Sequence, residues 1–258
     1  MATRLGTRAV RLAAVRALRT HKGRREQGRF AFEGATLLAE AVAAEFPIAE
    51  IYATQAAYDS VALLRELDAG ETPVFLLEPA SAASISDVVT PSGIVAVGPT
   101  RLRGAAELVG EGGPLLVLAD VGDPANAGTL LRSADAFGCT RVLLGRLGVD
   151  PYHPKLVRGS MGAIFRLSLG VADPHEFGQV AAAAGLRVLG LASGGAPLTR
   201  EGLRPPFALV VGNERHGLGA WQALCERVIA IPMTGPAESL SAAVAGSIAL
   251  YEASRNAP

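Results

Sequence analysis

Hydrophobic residues follow two rhythms along the chain. Over the first hundred residues, short β-like runs take turns with helical ones. RFAFEG (29–34) leads into ATLLAEAVAAEF, where Leu37, Leu38, Ala41 and Val42 recur at helical spacing. IAEIYAT reads as a strand, YDSVALLRELDAG as a helix stopped by Gly70, and PVFLLE and GIVAVG as two further strands. From Pro114 onward the strands are apolar throughout: LLVLAD, RVLLG, LRVLGLAS, FALVVG and RVIAIPM, with helical stretches between them. Strands that do not alternate are buried on both faces, as in a parallel sheet covered by helices. PTRLRGAAELVGEGG (99–113) has little periodicity and is expected to be a linker. The pattern predicts an α/β protein with a smaller domain over 1–98, a linker over 99–113 and a parallel-sheet domain over 114–258.

Composition supports two real cores and adds a charge asymmetry. Of 258 residues, 50% are hydrophobic and 19% charged, too apolar for a disordered chain. No apolar run approaches the roughly 20 residues that cross a bilayer, so a soluble protein without a membrane partner is expected. Basic and acidic residues balance at 24 each, yet nine basic residues against Glu26 and Glu33 give the first 34 positions a net charge of +7. Such a stretch points to a basic arm or patch that meets phosphate, with Arg8, Arg19, Lys22, Arg24 and Arg25 as candidate contacts. An organellar transit peptide is also Arg-rich, but is Ser-rich as well, and here the first serine is Ser60. Cys139 and Cys225 lie far apart and read as reduced cytoplasmic thiols. Four scattered histidines without a Cys-x-x-Cys spacing predict no metal site.

Three segments of the second half share one design: an apolar strand, a small polar cluster with Gly or Pro, then a helix. Ligands of open parallel sheets bind beyond the carboxyl ends of the strands, where these clusters fall. In LADVGDPANAGTLLRSADAFG (118–138), Arg132 sits in a helix that buries Leu130, Leu131, Ala134 and Phe137. It is either a solvated cation, paired with Asp135 or Asp123, or a functional group. In VVGNERHGLG (210–219), Glu214 either occupies the first turn of a helix starting near Gly217 or, with Asn213 and two glycines, forms a ligand site. His216 reads as a surface residue.

In IAIPMTGPAESLSAAVAGSIALYEASR (229–255), Ser239 is a plausible helix N-cap, and the small residues that follow suit close contact with backbone or ligand. KLVRGSMGAIFRLSLG (155–170) offers Arg158 in what is equally a phosphate-contacting loop and a surface turn. No strand is followed by Gly-x-Gly-x-x-Gly or by a Walker loop, which disfavours the usual dinucleotide and triphosphate sites.

DPANAGTLLRSADAFG, VVGNERHGLG and IPMTGPAESLSAAVA, in this order and spacing, resemble the three motifs of the SpoU family of RNA ribose methyltransferases, within the knotted α/β methyltransferases. FAFEGATLLAEAV and SDVVTPSGIVAVG are similar to the N-terminal RNA-binding domain common in that family, so the likeness covers nearly the whole chain. It implies a homodimer that transfers the methyl group of S-adenosylmethionine to a ribose 2′-hydroxyl of structured RNA, ribosomal RNA before transfer RNA. A non-catalytic RNA-binding protein is the alternative from another class. The family's catalytic positions fall on Asn126, Arg132, Glu214 and Ser239, and its cofactor positions on Gly212, Ile231 and Leu240, with Ala192 and Ser193 added. The resemblance also implies that the C-terminal helix is threaded through a loop, a rare exception to unknotted chains. One departure stands out: Ser241 occupies the place of the family's usual Asn.

Overall fold

Two sheets account for the two rhythms. A computed structural model describes residues 2–6, 10–237 and 239–256, so Arg8 lies outside the described residues. Strands β1 (Thr3–Arg4), β2 (Arg29–Glu33), β3 (Glu50–Thr54), β4 (Val74–Leu77) and β5 (Ile94–Pro99) form a sheet in the order β1-β4-β3-β5-β2. The first three of that order run parallel, and β5 is antiparallel to both its neighbours. Helices α1 (Val10–Ala17), α2 (His21–Gln27), α3 (Ala35–Ala43), α4 (Gln55–Ser60), α5 (Ala62–Ala69) and α6 (Pro79–Ile85) accompany it. The single helix expected over YDSVALLRELDAG is α4 and α5, broken where Val61 adopts an extended conformation.

The basic N-terminal stretch is a folded element rather than a loose arm. Leu12, Val15 and Leu18 are buried and place it against Tyr52, Leu77, Ile85 and Val97. Thr20 caps α2 by accepting from the Gly23 amide, and Gly28 ends it in the left-handed region at φ 60°. Several of its cations serve the fold: Arg11 and Arg29 both pair with the buried Glu50, and Arg11 stacks over the Phe75 ring.

The second sheet contains β6 (Leu102–Arg103), β7 (Pro114–Ala119), β8 (Arg141–Gly145), β9 (Ser168–Ala172), β10 (Arg187–Pro197), β11 (Phe207–Gly212) and β12 (Arg227–Ala230). Its order is β12-β10-β11-β7-β8-β9-β6, and every pairing is parallel. Of the strands expected to be covered on both faces, β7, β8 and β11 are buried almost residue by residue, whereas β12, at the sheet edge, and the second half of β10 are only partly buried. Helices α7 (Ala105–Gly110), α8 (Pro124–Ala136), α9 (Pro154–Gly159), α10 (Pro174–Ala183) and α11 (Ala242–Ser254), with three short 3-10 turns, complete the described elements. Three of them start alike, with Asp123, His153 or Asp173 as N-cap and a proline at the first helical position. Phe177 and Trp221, rings 5.8 Å apart, anchor the core beside Leu115, Val117, Ala208 and Val210.

The chain divides into two units, Met1–Thr100 with Tyr152–Phe165 and Arg101–Pro151 with Arg166–Pro258. The stretch 99–113 is therefore not a bare linker: it carries β6 and α7, and Leu108 is fully buried. Its many glycines mask that packing in the sequence. Likewise 152–165, read as part of the second half, belongs with the first. Tyr152 and Phe165 join Phe30, Phe32 and Phe46 in one aromatic cluster, with ring centroids 4.5 to 6.5 Å apart. Burial raises both thiols, Cys139 and Cys225, to about 11, so neither is an ionised nucleophile at neutral pH.

Candidate active site

The chain leaves β7 toward β8 and leaves β11 toward β12 on the opposite side, so two loops diverge from adjacent strands. A crevice is expected there. The loops are tied together by three side chains. Asn213 Nδ2 donates to the Asp120 carbonyl at 2.8 Å, while its Oδ1 accepts from the amides of Arg215 and His216. Backbone bonds between Asn213 and Gly217 close this turn in both directions, and no α-helix starts there. Asp120 adopts a left-handed backbone, φ 54°, and its carboxylate accepts from the Trp221 indole and the Leu147 amide. A side chain at Gly145 would fall 2.3 Å from Asp120 Oδ1 and 2.5 Å from its amide, so only glycine leaves room at the end of β8.

Glu214 is the third tie. It accepts from Asn126 Nδ2 at 2.9 Å, from the Gly122 amide at 3.2 Å and from the Asp123 amide at 3.4 Å. Burial alone would raise its pKa, but the Asn126 amide and the surrounding backbone N–H groups more than offset that and hold the carboxyl below the ordinary glutamate value.

A cavity of about 420 Å³ opens beside this turn, at the carboxyl ends of β10, β11 and β12. Its lining includes Ala192, Ser193, Gly212, Ile231 and Leu240, the five residues expected to hold a cofactor, with Glu214 and Ser239. Gly212 permits the wall to be this close: a Cβ there would lie 2.4 Å from the Gly217 backbone. Ser239 lies on the cavity but does not cap α11. Ser241 does, accepting from the Val244 amide at 3.3 Å, because the helix begins two residues later than its small-residue pattern suggests. Ser and Asn are near-equal caps, so the helix start does not require the family's usual Asn.

The structure brings Asn126 and Glu214 together but leaves Arg132 apart. Arg132 is the ninth residue of the thirteen-residue α8, beyond its electropositive first turn, and is exposed. Six residues separate it from Asn126, which turns the two side chains about 120° apart on the helix. Neither carboxylate expected as its partner is available. Asp135 is held by Arg166 at 2.8 and 3.0 Å, and Asp123 accepts from the Ala125 amide. Among the described residues Arg132 has no polar side-chain partner.

Of the expected RNA contacts, Lys22 and Arg25 are exposed on α2, and Arg19 and Arg158 are half-exposed. Arg24 is corrected: it is 3% exposed, and its guanidinium donates to the Leu18 carbonyl at 2.8 Å, inside the α1–α2 turn. Basicity alone could not tell it from its neighbours. Asp120 is a positioning residue to which the motifs assign no role, and Asn213, expected to join a ligand site, acts instead by holding the turn that carries Glu214. The signal for Asp120 is a polar residue at the end of an apolar strand.

A wholly parallel sheet with a glycine-lined cavity at its strand ends, next to a carboxylate fixed by an amide and backbone N–H groups, defines an α/β enzyme for a nucleoside-sized ligand. Residues 113–251 match the SpoU rRNA methylase family, and residues 10–96 match the MRM3-like substrate binding domain. The chain belongs to the SpoU rRNA methylase family and is an S-adenosylmethionine-dependent methyltransferase. It is 32% identical over 238 residues to the 23S rRNA (guanosine(2553)-2′-O)-methyltransferase RlmP of Bacillus subtilis, covering 91% of this chain and 92% of that one. The 23S rRNA (uridine(2479)-2′-O)-methyltransferase of Streptomyces viridochromogenes is 37% identical over 140 residues, 51% of this chain and 49% of that one. Among solved structures, the AdoMet-bound rRNA methyltransferase from Sinorhizobium meliloti superposes with a TM-score of 0.84 at 26% identity, covering 98% of both chains. The SpoU methyltransferase AviRb from Streptomyces viridochromogenes, in complex with AdoMet, gives 0.80 at 27%, over 96% of this chain and 98% of that one.

The residues present fit that cofactor. Leu191, Val211, Ile231 and Leu240 offer apolar surface, Ser193 and Ser239 offer hydroxyls, and Gly212 keeps the floor open. A volume of about 420 Å³ lies within the range of small-molecule sites.

Proposed function

We propose that this protein methylates a ribose 2′-hydroxyl of ribosomal RNA. The observation that carries the reading is the placement of the cavity holding Ala192, Ser193, Gly212, Ile231 and Leu240 directly beside the Asn126–Glu214 pair. When bound, the cofactor supplies a methyl group on a sulfonium centre that is already electrophilic. The chain's task is alignment of the hydroxyl and stabilisation of the charge that develops on it.

Arg132 carries the second task. A guanidinium does not lose its proton in proteins, so it acts as a fixed cation. It binds the phosphate next to the target ribose and stabilises the emerging alkoxide, the departing proton going to that phosphate. Asn126 and Glu214 hold the rim of the site, and Ser239 contacts the substrate. Lys22, Arg25, Arg19 and Arg158, with Arg8, supply phosphate contacts that give affinity without sequence information.

The reading includes a homodimer. Val244 and Tyr251, seven residues apart on α11, are 47% and 48% exposed, apolar surface that a second copy would cover. Arg132, turned away from its own Asn126, then completes the site of the second copy. The threading of the C-terminal helix belongs to the same reading and is supported by Gly246, whose missing Cβ lets α11 sit against Leu130 and Val211.

The test uses methyl-labelled S-adenosylmethionine with unmodified ribosomal RNA and, in parallel, transfer RNA, followed by alkaline digestion. Label in an alkali-resistant dinucleotide from ribosomal RNA is the expected result. Label from transfer RNA alone would move the substrate. No label from either, in a protein that also fails to bind the cofactor, would favour a non-catalytic RNA-binding role.

A further inference from the structure

Two arginines distant in sequence share one carboxylate in the first unit. Arg19, just past α1, places Nε 3.9 Å from Asp87 Oδ1, and Arg158 on α9 places Nη1 3.8 Å from Asp87 Oδ2. Each carboxylate oxygen thus faces a different guanidinium. Both separations exceed hydrogen-bond length, so these are loose electrostatic contacts. Neither guanidinium has another polar side-chain partner among the described residues, and 49% and 44% of the two arginine side chains is exposed.

The carboxylate is held in place from behind. Glu33, at the end of β2, accepts from the Asp87 amide and the Ser86 hydroxyl through Oε2, and from the Ser92 amide and hydroxyl through Oε1. The whole 86–92 loop is therefore fastened to β2 by one side chain. Arg19, Arg158, Asp87 and Glu33 line the same small hollow over Phe32, Leu37, Ile85 and Val157. At about 30 Å³ it has room for a water rather than an anion, so a ligand would lie on its rim between the guanidiniums.

We propose that Arg19 and Arg158 form a clamp for a single phosphodiester of the RNA substrate, and that Asp87 occupies the clamp as an internal competitor until RNA displaces its hold on the arginines. The proposal rests on the ribosomal-RNA methyltransferase reading. The chemistry favours exchange. A phosphodiester accepts charge-assisted bonds at about 2.7–2.9 Å from both guanidiniums, which the carboxylate, fixed at its greater distance, does not make. Without RNA, the carboxylate lowers the pull of the clamp on any passing polyanion.

The experiment measures binding of unmodified ribosomal RNA and of transfer RNA across a salt series, for the full chain and for Arg19→Ala, Arg158→Ala, the double variant and Asp87→Asn. Each single alanine variant should lower the salt slope by about one, the loss of one phosphate contact. The clamp needs both guanidiniums to hold its one phosphate, so the double variant should also lose about one rather than about two. Asp87→Asn keeps the backbone amide that Glu33 holds, and should tighten both RNAs by about two- to fivefold, the range of one exposed charge pair.

Unchanged slopes for both single variants would overturn the clamp. A loss of about two in the double variant would make the arginines separate contacts and overturn the sharing. Unchanged or weaker binding by Asp87→Asn would overturn the role of the carboxylate. Circular dichroism and cofactor binding report whether each variant is folded. A wild-type chain that neither binds nor methylates RNA would sink the methyltransferase reading and the clamp with it, whereas RNA binding that the variants leave untouched would sink the clamp alone.

Discussion

The Asn126 amide donates to Glu214 at 2.9 Å across 88 residues of chain, joining the start of α8 to the turn after β11. The carboxylate there accepts from three donors at once. Glutamine at position 214 offers one oxygen and turns an NH2 toward groups that are all donors. Glu214→Gln should therefore cut methyl transfer by about 100-fold, the low end of the range for loss of one preorganised polar contact. Methyl incorporation into ribosomal RNA, with a parallel cofactor titration, measures it.

The same carboxylate sets a pH expectation. Its pKa lies below the ordinary glutamate value, so its stabilising bonds are fully present above that value and are lost only as pH falls through the lower, folded one. The rate profile of the wild type should show no acid limb from Glu214 above about pH 4.5. A limb near pH 6 that vanishes in Glu214→Gln would contradict this.

Arg132→Ala removes an exposed cation that has no polar side-chain partner among the described residues, and should change stability by less than about 0.5 kcal/mol. Transfer should be abolished with cofactor affinity nearly intact. Normal turnover by this variant would show that the guanidinium has no part in the chemistry.

Gly212→Ala places a Cβ 2.4 Å from the Gly217 carbonyl carbon and 2.7 Å from the Leu218 amide nitrogen, both backbone atoms that no rotamer change can move. The turn bearing Glu214 must shift. A loss of about 1–3 kcal/mol is expected, with weaker cofactor binding. For a chain of this size the melting temperature should drop by about 2–4 °C per kcal/mol.

Arg24→Ala and Lys22→Ala separate fold from RNA affinity on neighbouring basic positions. Arg24 is buried and its loss should cost about 1–3 kcal/mol, because the Leu18 carbonyl loses its donor. Lys22→Ala should leave the melting temperature unchanged and reduce the salt slope of RNA binding by about one. Equal thermal effects for the two would contradict the assignment.

Much of this site can be read from the strands. FALVVG and LLVLAD are apolar without alternation, which places them in a covered parallel sheet, with Glu214 just past the end of one and Asn126 in the helix that follows the other. Gly212 and Ile231 of the cavity sit at strand ends, while Ala192, Ser193 and Leu240 follow only from the resemblance. Less legible is whatever depends on a partner distant in sequence. Arg24 and Arg25 differ only in the side of α2 they occupy, and that side is set by where α1 packs. Ser239 and Ser241 both suit a cap, and only the backbone chooses between them. SLGVA is short and half made of small residues, so β9 gives no strand signal although it pairs on both edges.

The run from Tyr152 to Phe165 leaves the second sheet's stretch of sequence and folds with the first. The polypeptide therefore passes between the units three times. Cutting the chain after residue 100 would not yield two self-sufficient halves: Tyr152 and Phe165 would lose the phenylalanines they nest among and face water. Such a fragment would be sticky, and its inactivity on RNA would say little about which half recognises the substrate. An ancestor could not have exchanged the smaller unit by joining genes end to end alone, since the stitch in the middle of the other unit had to be inherited or rebuilt with it.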